Sequence, residues 1–287
     1  MFEKLLVLWF KDIRPEYVDG FGLIVTKEIN GIPGDGGDTP QREGMVAFAG
    51  YLERVSFFER RLVHVWSLIR KSKGKYCRHP DDNSWTSKTN VFSRDQSISL
   101  VIALGAWKKK KELKEFFYAH LKRFGFYWNT RRNGQYPTLA EHLAKAPAWQ
   151  NWNYSWKIPD FALPHHWGIY IRAFRKPWLS PFLFFSDFFL FINAIIITIH
   201  GKLDPDFALD DNFIMMMLQA KQWYPTPWIY LATKIYSYRL QPGRHKRPRN
   251  PSWNSAQAAL YWEFKGHYPP IGLLYHDILA DSFEYRH

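Results

Sequence analysis

From Leu179 to His200 the chain is apolar almost without interruption. That is about long enough to cross a bilayer as a helix, which takes roughly 20 residues. Pro181, Asp187 and Asn193 interrupt the run, and Arg172, Arg175 and Lys176 lie just before it. An acid and an amide are costly in lipid unless they face a protein interior. The segment therefore demands polar partners from elsewhere in the fold. A central, completely buried helix of a large α-helical domain meets that demand, and a membrane span is the competing reading. The expectation is a buried helix over 182–199, with no membrane span.

A chain of 287 residues that is 46% hydrophobic can build the core such a helix needs, and it is too apolar to be disordered. Helix signals recur along it. Thr39-Pro40 supplies a cap and a first-turn proline, and an apolar pattern then runs from Met45 to Ile69, breaking near Ser56. Ser93-Arg94-Asp95-Gln96 and Thr138-Leu-Ala-Glu141 have capping-box spacing, and the first precedes a periodic run from Ile98 to Trp107. Asp210-Asp211-Asn212 precedes a helix over 213–223, Thr226-Pro227 begins one reaching Leu240, Asn254 one reaching Lys265, and Pro270 opens a short last helix. Phe21 to Thr26 is a strand candidate. The reading is an all-α, single-domain chain over 1–287, an (α/α) toroid-like array of helical hairpins, with an incomplete ring and long aromatic-rich loops. Gly74 to Phe92 and Ala146 to Pro164 are too long for passive connections, and Gln241 to Pro251 is a basic loop.

Cys77 is the sole cysteine, which excludes an internal disulfide and argues against a thiolate zinc site within one chain, since the usual structural zinc sites need at least two cysteines. No phosphate loop, nucleophile elbow or His-Glu-x-x-His motif occurs, so no metal and no cofactor are expected. The apolar run within Met1 to Phe10 is too short for a signal peptide. The chain reads as soluble, cytoplasmic or released without a signal peptide.

Three polar clusters stand at predicted helix starts. The first is Asp35-Gly-Gly-Asp38-Thr-Pro-Gln-Arg42-Glu43-Gly44-Met45. Capping accounts for Asp38 and Thr39, because acids are favoured at helix N-termini, but leaves Glu43 unexplained. The second joins His79-Pro-Asp-Asp82-Asn83-Ser-Trp85 to Arg94-Asp95-Gln96. The third is Asp204-Pro-Asp206 with Asp210-Asp211-Asn212; it lacks the glycine and terminal glutamate of an EF-hand loop. If the helices they open were parallel inner members of a hairpin array, their carboxylates would share one cleft. Glycoside hydrolysis needs two such acids flanking the scissile bond. Trp85, Trp149, Trp152, Trp156 and Trp167 fall in or beside the long loops, where flat apolar faces could stack on sugar rings.

Glu43-Gly-Met, followed by an aromatic-rich helix ending in Val65-Trp66, resembles the acid-bearing segment of family-8 glycoside hydrolases, the endoglucanase and chitosanase type. In that family a Glu-Gly opens a helix of an (α/α)6 toroid. The run from Arg94 to Leu104 is similar to the family's later helix, which carries an aspartate ahead of an apolar pattern. The resemblance implies Glu43 as general acid and Asp95 as base or sugar-binding carboxylate.

The formal charge of +13 favours an anionic partner. The expectation is therefore a carbohydrate-active enzyme cleaving an acidic polysaccharide. Its catalytic candidates are Glu43, Asp95 and Asp38. Substrate contacts would come from Arg42, Arg94, Gln96, His79, Asp82, Asn83, Trp85 and Asp211. A lyase is a close variant, with His79 or a tyrosine as base and Arg or Asn neutralising a uronate. The alternative is a non-enzymatic basic and aromatic binding protein for nucleic acid or a viral or cell-surface assembly. Gathered carboxylates repel phosphates, so no nucleic-acid partner is expected.

Overall fold

The computed structural model describes residues 19–23, 39–52, 54–71, 75–77, 79–80, 94–124, 164–203 and 211–239. Among them, eight α-helices form four hairpins: α1 (Thr39–Leu52) with α2 (Ser56–Ile69), α3 (Arg94–Ala106) with α4 (Lys110–Phe124), α5 (Pro164–Ala173) with α6 (Ser180–Leu203), and α7 (Asp211–Gln222) with α8 (Pro227–Arg239). A 3-10 turn, Pro177–Leu179, leads into α6. A two-residue antiparallel ribbon, β1 (Arg70–Lys71) with β2 (Lys75–Tyr76), follows α2.

The hairpin turns repeat one local design. The second residue after each first helix is left-handed and is not glycine: Arg54 (φ 59), Lys108 (φ 55), Arg175 (φ 54) and Tyr224 (φ 56). In the first turn Arg54 N–H donates to Tyr51 O at 3.0 Å and Val55 N–H to Gly50 O at 2.8 Å. Lys108 and Lys109 bond to Gly105 O and Leu104 O in the same pattern, as do Arg175 and Lys176 to Arg172 O and Ile171 O. These paired bonds are the Schellman termination, which satisfies carbonyls that a helix end leaves orphaned. Basic residues also suit the negative end of the helix dipole. The fourth turn has Pro225 where the outer bond needs an N–H, so it keeps only the left-handed residue.

Burial separates the two members of each hairpin. In α1 every residue from Thr39 to Gly50 is buried, and in α3 every residue from Gln96 to Ala106. In α5 all but Trp167 are buried. By contrast α2 buries one stripe, Phe58, Leu62, Val65, Trp66 and Ile69, at the spacing of a single helix face. First helices are inner and second helices outer. Small residues let the inner helices close up. A β-carbon on Gly44 would lie 2.7 Å from the backbone carbon of Ser99.

The C-terminal ends of the inner helices converge. Tyr51 packs edge-on to Trp107 at 5.4 Å and lies 5.7 Å from Trp223. Arg172 Nε donates to Trp223 O at 2.8 Å, and the Arg175 guanidinium sits 3.3 Å over the Trp223 ring. Gly44 meets Ser99 while Trp107 Nε1 donates to Ala47 O, so α1 and α3 run in the same direction. The N-terminal turns of the inner helices therefore lie at the opposite end of the array.

The all-α expectation holds, and the break near Ser56 falls between α1 and α2. Three expectations need correcting. The 182–199 helix exists but is not completely buried: Leu183, Ser186, Asp187, Leu190, Asn193 and Ala194 face inward, while Phe182, Phe184, Phe185 and Ile199 are exposed. One side of α6 meets α5 and α8, and the rest has no described neighbour to cover it. Phe21 to Leu23, expected to begin a strand, lies in a turn closed by the Asp19 side chain. Two helices, α4 and α5, were not anticipated. The α4 face was readable in Leu113, Phe116 and Phe117, spaced three and four apart. The Thr138 capping box, the helices at Asn254 and Pro270 and the 241–251 loop lie outside the described residues.

Candidate functional site

Polar side chains are buried preferentially where the inner helices begin. Thr39, Gln41, Arg42 and Glu43 occupy the first turns of α1; Gln96, Ser97 and Ser99 those of α3; His165 and His166 the start of α5. Helix N-termini present unpaired N–H groups and a partial positive charge. This end of the array suits an anionic or hydroxyl-rich ligand better than the opposite end, which is closed by aromatic rings.

Glu43 is held across the first hairpin. Arg61 Nε donates to Glu43 Oε2 at 2.8 Å, and Arg61 Nη2 donates to Glu43 Oε1. The Glu43 side chain is 1% exposed. This is the two-point fork in which arginine binds carboxylates most firmly. Gly44, whose position beside an acid capping does not explain, is required by the close crossing with Ser99.

A second acid–base pair lies farther along α2. His79 Nε2 and Asp19 Oδ2 are 2.6 Å apart. The other Asp19 oxygen accepts from Phe21 N–H at 3.0 Å and Leu23 N–H at 2.8 Å. The Asp19-Gly20 step permits this turn, since aspartate side chains readily bond the backbone just ahead. The Phe21 ring stands edge-on to His79 at 5.6 Å, and Phe21 O accepts from His64 Nε2 at 3.1 Å. His64 is three residues beyond Arg61 on α2, hence on the same helix face. The turn that carries Asp19 is thus anchored to α2 one helical turn beyond Arg61.

Asp19 fixes the His79 ring. A carboxylate 2.6 Å from a ring nitrogen orients an imidazole for acid–base work. Asp19 and Arg61 were missed by sequence reasoning. An aspartate before glycine was a local turn signal, but nothing in the sequence linked it to His79, sixty positions away.

No family model, curated protein or solved structure matches this chain. The site rests on its own geometry.

Among the anticipated residues, Arg42, Glu43, Gln96 and His79 are buried at this end. Arg94 and Asp95 lie in the first turn of α3. Asp95 is four residues ahead of Ser99, so its backbone is one turn from the Gly44 crossing. Asp211 starts α7. Asp38, Asp82, Asn83 and Trp85 lie outside the described residues, as do Trp149, Trp152 and Trp156. Trp167 packs against Phe182 at 6.4 Å on α6. Among the described residues no three His, Cys, Asp or Glu side chains converge as a metal site would require. Cys77 is buried, its thiol 3.3 Å from Ile69 O.

Proposed function

We propose that this chain is a carbohydrate-active enzyme that cleaves an anionic polysaccharide, with its site at the N-terminal end of the inner helices. We further propose that the hairpins belong to an (α/α) toroid of the kind found in family-8 glycoside hydrolases. The single observation that carries the reading is the Asp19–His79 pair, whose Asp19–Leu23 turn is tied to the Arg61-bearing helix α2 by the bond from His64 to Phe21 O.

That observation favours the lyase variant over hydrolysis. A carboxylate that accepts from a guanidinium at both oxygens has no O–H to give to a leaving group. Glu43 therefore fits the role of a positioning anion better than that of general acid. A histidine oriented by a carboxylate is a suitable base. In β-elimination on a uronate, His79 takes the proton from the carbon bearing the carboxylate. The released pair forms a C=C bond to the adjacent carbon, whose C–O bond to the leaving sugar breaks. The departing oxygen takes up a proton. Arg42 and Arg94, in the first turns of α1 and α3, supply charge that stabilises the enolate-like carboxylate.

The test is incubation with a panel of uronate-containing polysaccharides. Elimination creates an ultraviolet-absorbing unsaturated end group, whereas hydrolysis creates reducing ends without it. His79→Gln should lower turnover about 10²–10⁴-fold, the usual contribution of a general base. Cleavage without unsaturation would return the assignment to a carboxylate dyad of Glu43 and Asp95. Binding without cleavage, falling steeply with salt, would favour the nucleic-acid-type binding protein.

A further inference from the structure

The geometry points to a membrane-docking face on α6 and α8 whose partner is the surface of an anionic lipid bilayer. On α6 the residues Phe182, Phe185, Ile192 and Ile199 recur at three- and seven-residue steps, so they share one side of the helix, and Trp178 lies in the 3-10 turn just before it. Trp178 is 66% exposed and Phe182 and Phe185 about half. The exposed apolar surface is wider than that row: Phe184 on α6 is exposed and packs on Trp228 of α8, and Tyr230 and Leu231, two and three residues on, are exposed too. A coiled-coil partner would need only the narrow row. An arc this broad matches a lipid phase, which has no register to satisfy.

The bilayer is engaged along the helix rather than crossed. Helix α6, at 24 residues, is about 36 Å long. Its packing neighbours α5 and α8 have 10 and 13 residues, or about 15 and 20 Å, against roughly 30 Å of hydrocarbon. Ser186, Asp187 and Asn193 of α6 are buried away from the arc, and Asp187 is bonded to Arg172 at 2.6 Å. Charge fits the same orientation. Lys176 Nζ lies 4.5 Å from the centre of the Trp178 ring at the start of the arc, and the chain carries +13. Cations beside exposed tryptophan are the pairing that seats a protein among anionic headgroups. This face is separate from the polar end of the inner helices, so the inference stands whether or not the chain cleaves a polysaccharide.

The test uses the full chain in flotation with vesicles of phosphatidylcholine alone and of phosphatidylcholine with phosphatidylserine. The expected result is preferential binding to the mixed vesicles, and quenching of tryptophan fluorescence by brominated lipid that Trp178→Phe diminishes. Phe182→Asp and Phe185→Asp should each weaken binding about tenfold or more, since each removes a large side chain from the apolar phase. An unchanged far-UV circular dichroism spectrum confirms that these exposed-site variants fold. Equal flotation of wild type and the double variant overturns the proposal, as does absence of flotation with both vesicles. Retention on vesicles through alkaline carbonate would overturn it in favour of a spanning helix. A wild-type dimer that the double variant abolishes, without vesicle binding, would assign the face to a second copy.

Discussion

The α-carbon of Ala173 lies 2.5 Å from the point that a β-carbon on Gly105 would occupy. Helices α3 and α5 meet there backbone to backbone, near the ends where the inner helices converge. Adding a methyl group forces the helices apart, and overpacking of this kind costs about 1–3 kcal/mol. Gly105→Ala should lower the unfolding free energy by that amount, read from denaturant unfolding. Ala173→Gly, which removes the opposing methyl, should restore part of the loss in the double variant.

The left-handed residues at the turns differ in what their side chains do. Arg54 and Lys108 hold a conformation that costs a non-glycine residue about 1–2 kcal/mol, offset by the roughly 0.5–1 kcal/mol of extra chain entropy that glycine loses on folding. Arg54→Gly and Lys108→Gly should each raise stability slightly, by up to about 1 kcal/mol. Arg175→Gly should lower it, because the Arg175 guanidinium lies 3.3 Å over the Trp223 ring. Thermal melts of the three variants check the ordering.

Glu43→Gln tests a role for Glu43 that resemblance alone did not suggest. A purely catalytic acid could be replaced by its amide with the melting temperature nearly unchanged. Here the amide would leave Arg61 without its counter-charge in a largely buried position. Breaking a buried pair from one side costs about 3–5 kcal/mol, and the 10% exposure of Arg61 moves the expectation to the lower end of that range. A melting temperature within a degree of wild type would show that the pair contributes little.

Asp187 should make stability fall as pH rises above the ordinary carboxyl range. Burial pushes its carboxyl above the ordinary 3.8, an effect that Arg172 and a hydrogen bond from Thr226 only partly offset. The folded state then binds a proton that the unfolded state has released, and stability declines with pH wherever that holds. The contribution is complete below the ordinary carboxyl range and is lost upward through the raised value. The stability difference between wild type and Asp187→Asn, followed from about pH 3 upward by denaturant unfolding, should shrink over that window. A difference that grows instead would mean the Arg172 pairing outweighs burial.

The sequence by itself determined the helices whose ends or faces carry local signals. Thr39-Pro40, the box at Ser93 to Gln96, Asp210 to Asn212 and Thr226-Pro227 set the starts of α1, α3, α7 and α8, because caps and first-turn prolines act within one helical turn. It also required that Asp187 find a polar partner, since the cost of burying a charge does not depend on the fold. The fold alone decided that this partner is Arg172 together with Thr226, and that α6 shields only one side while its aromatic side stays open. Inner and outer roles were illegible for a related reason. Helices α1 and α3 are buried on every side over 39–50 and 96–106, so the apolar runs that mark them in sequence single out no one packing face. The candidate site was half visible. Arg42, Glu43 and His79 stood out as polar residues in places that capping did not explain. Their partners Arg61 and Asp19 are ordinary charged residues in sequence, eighteen and sixty positions away, and only hairpin packing brings a carboxylate to a guanidinium or an imidazole across such distances.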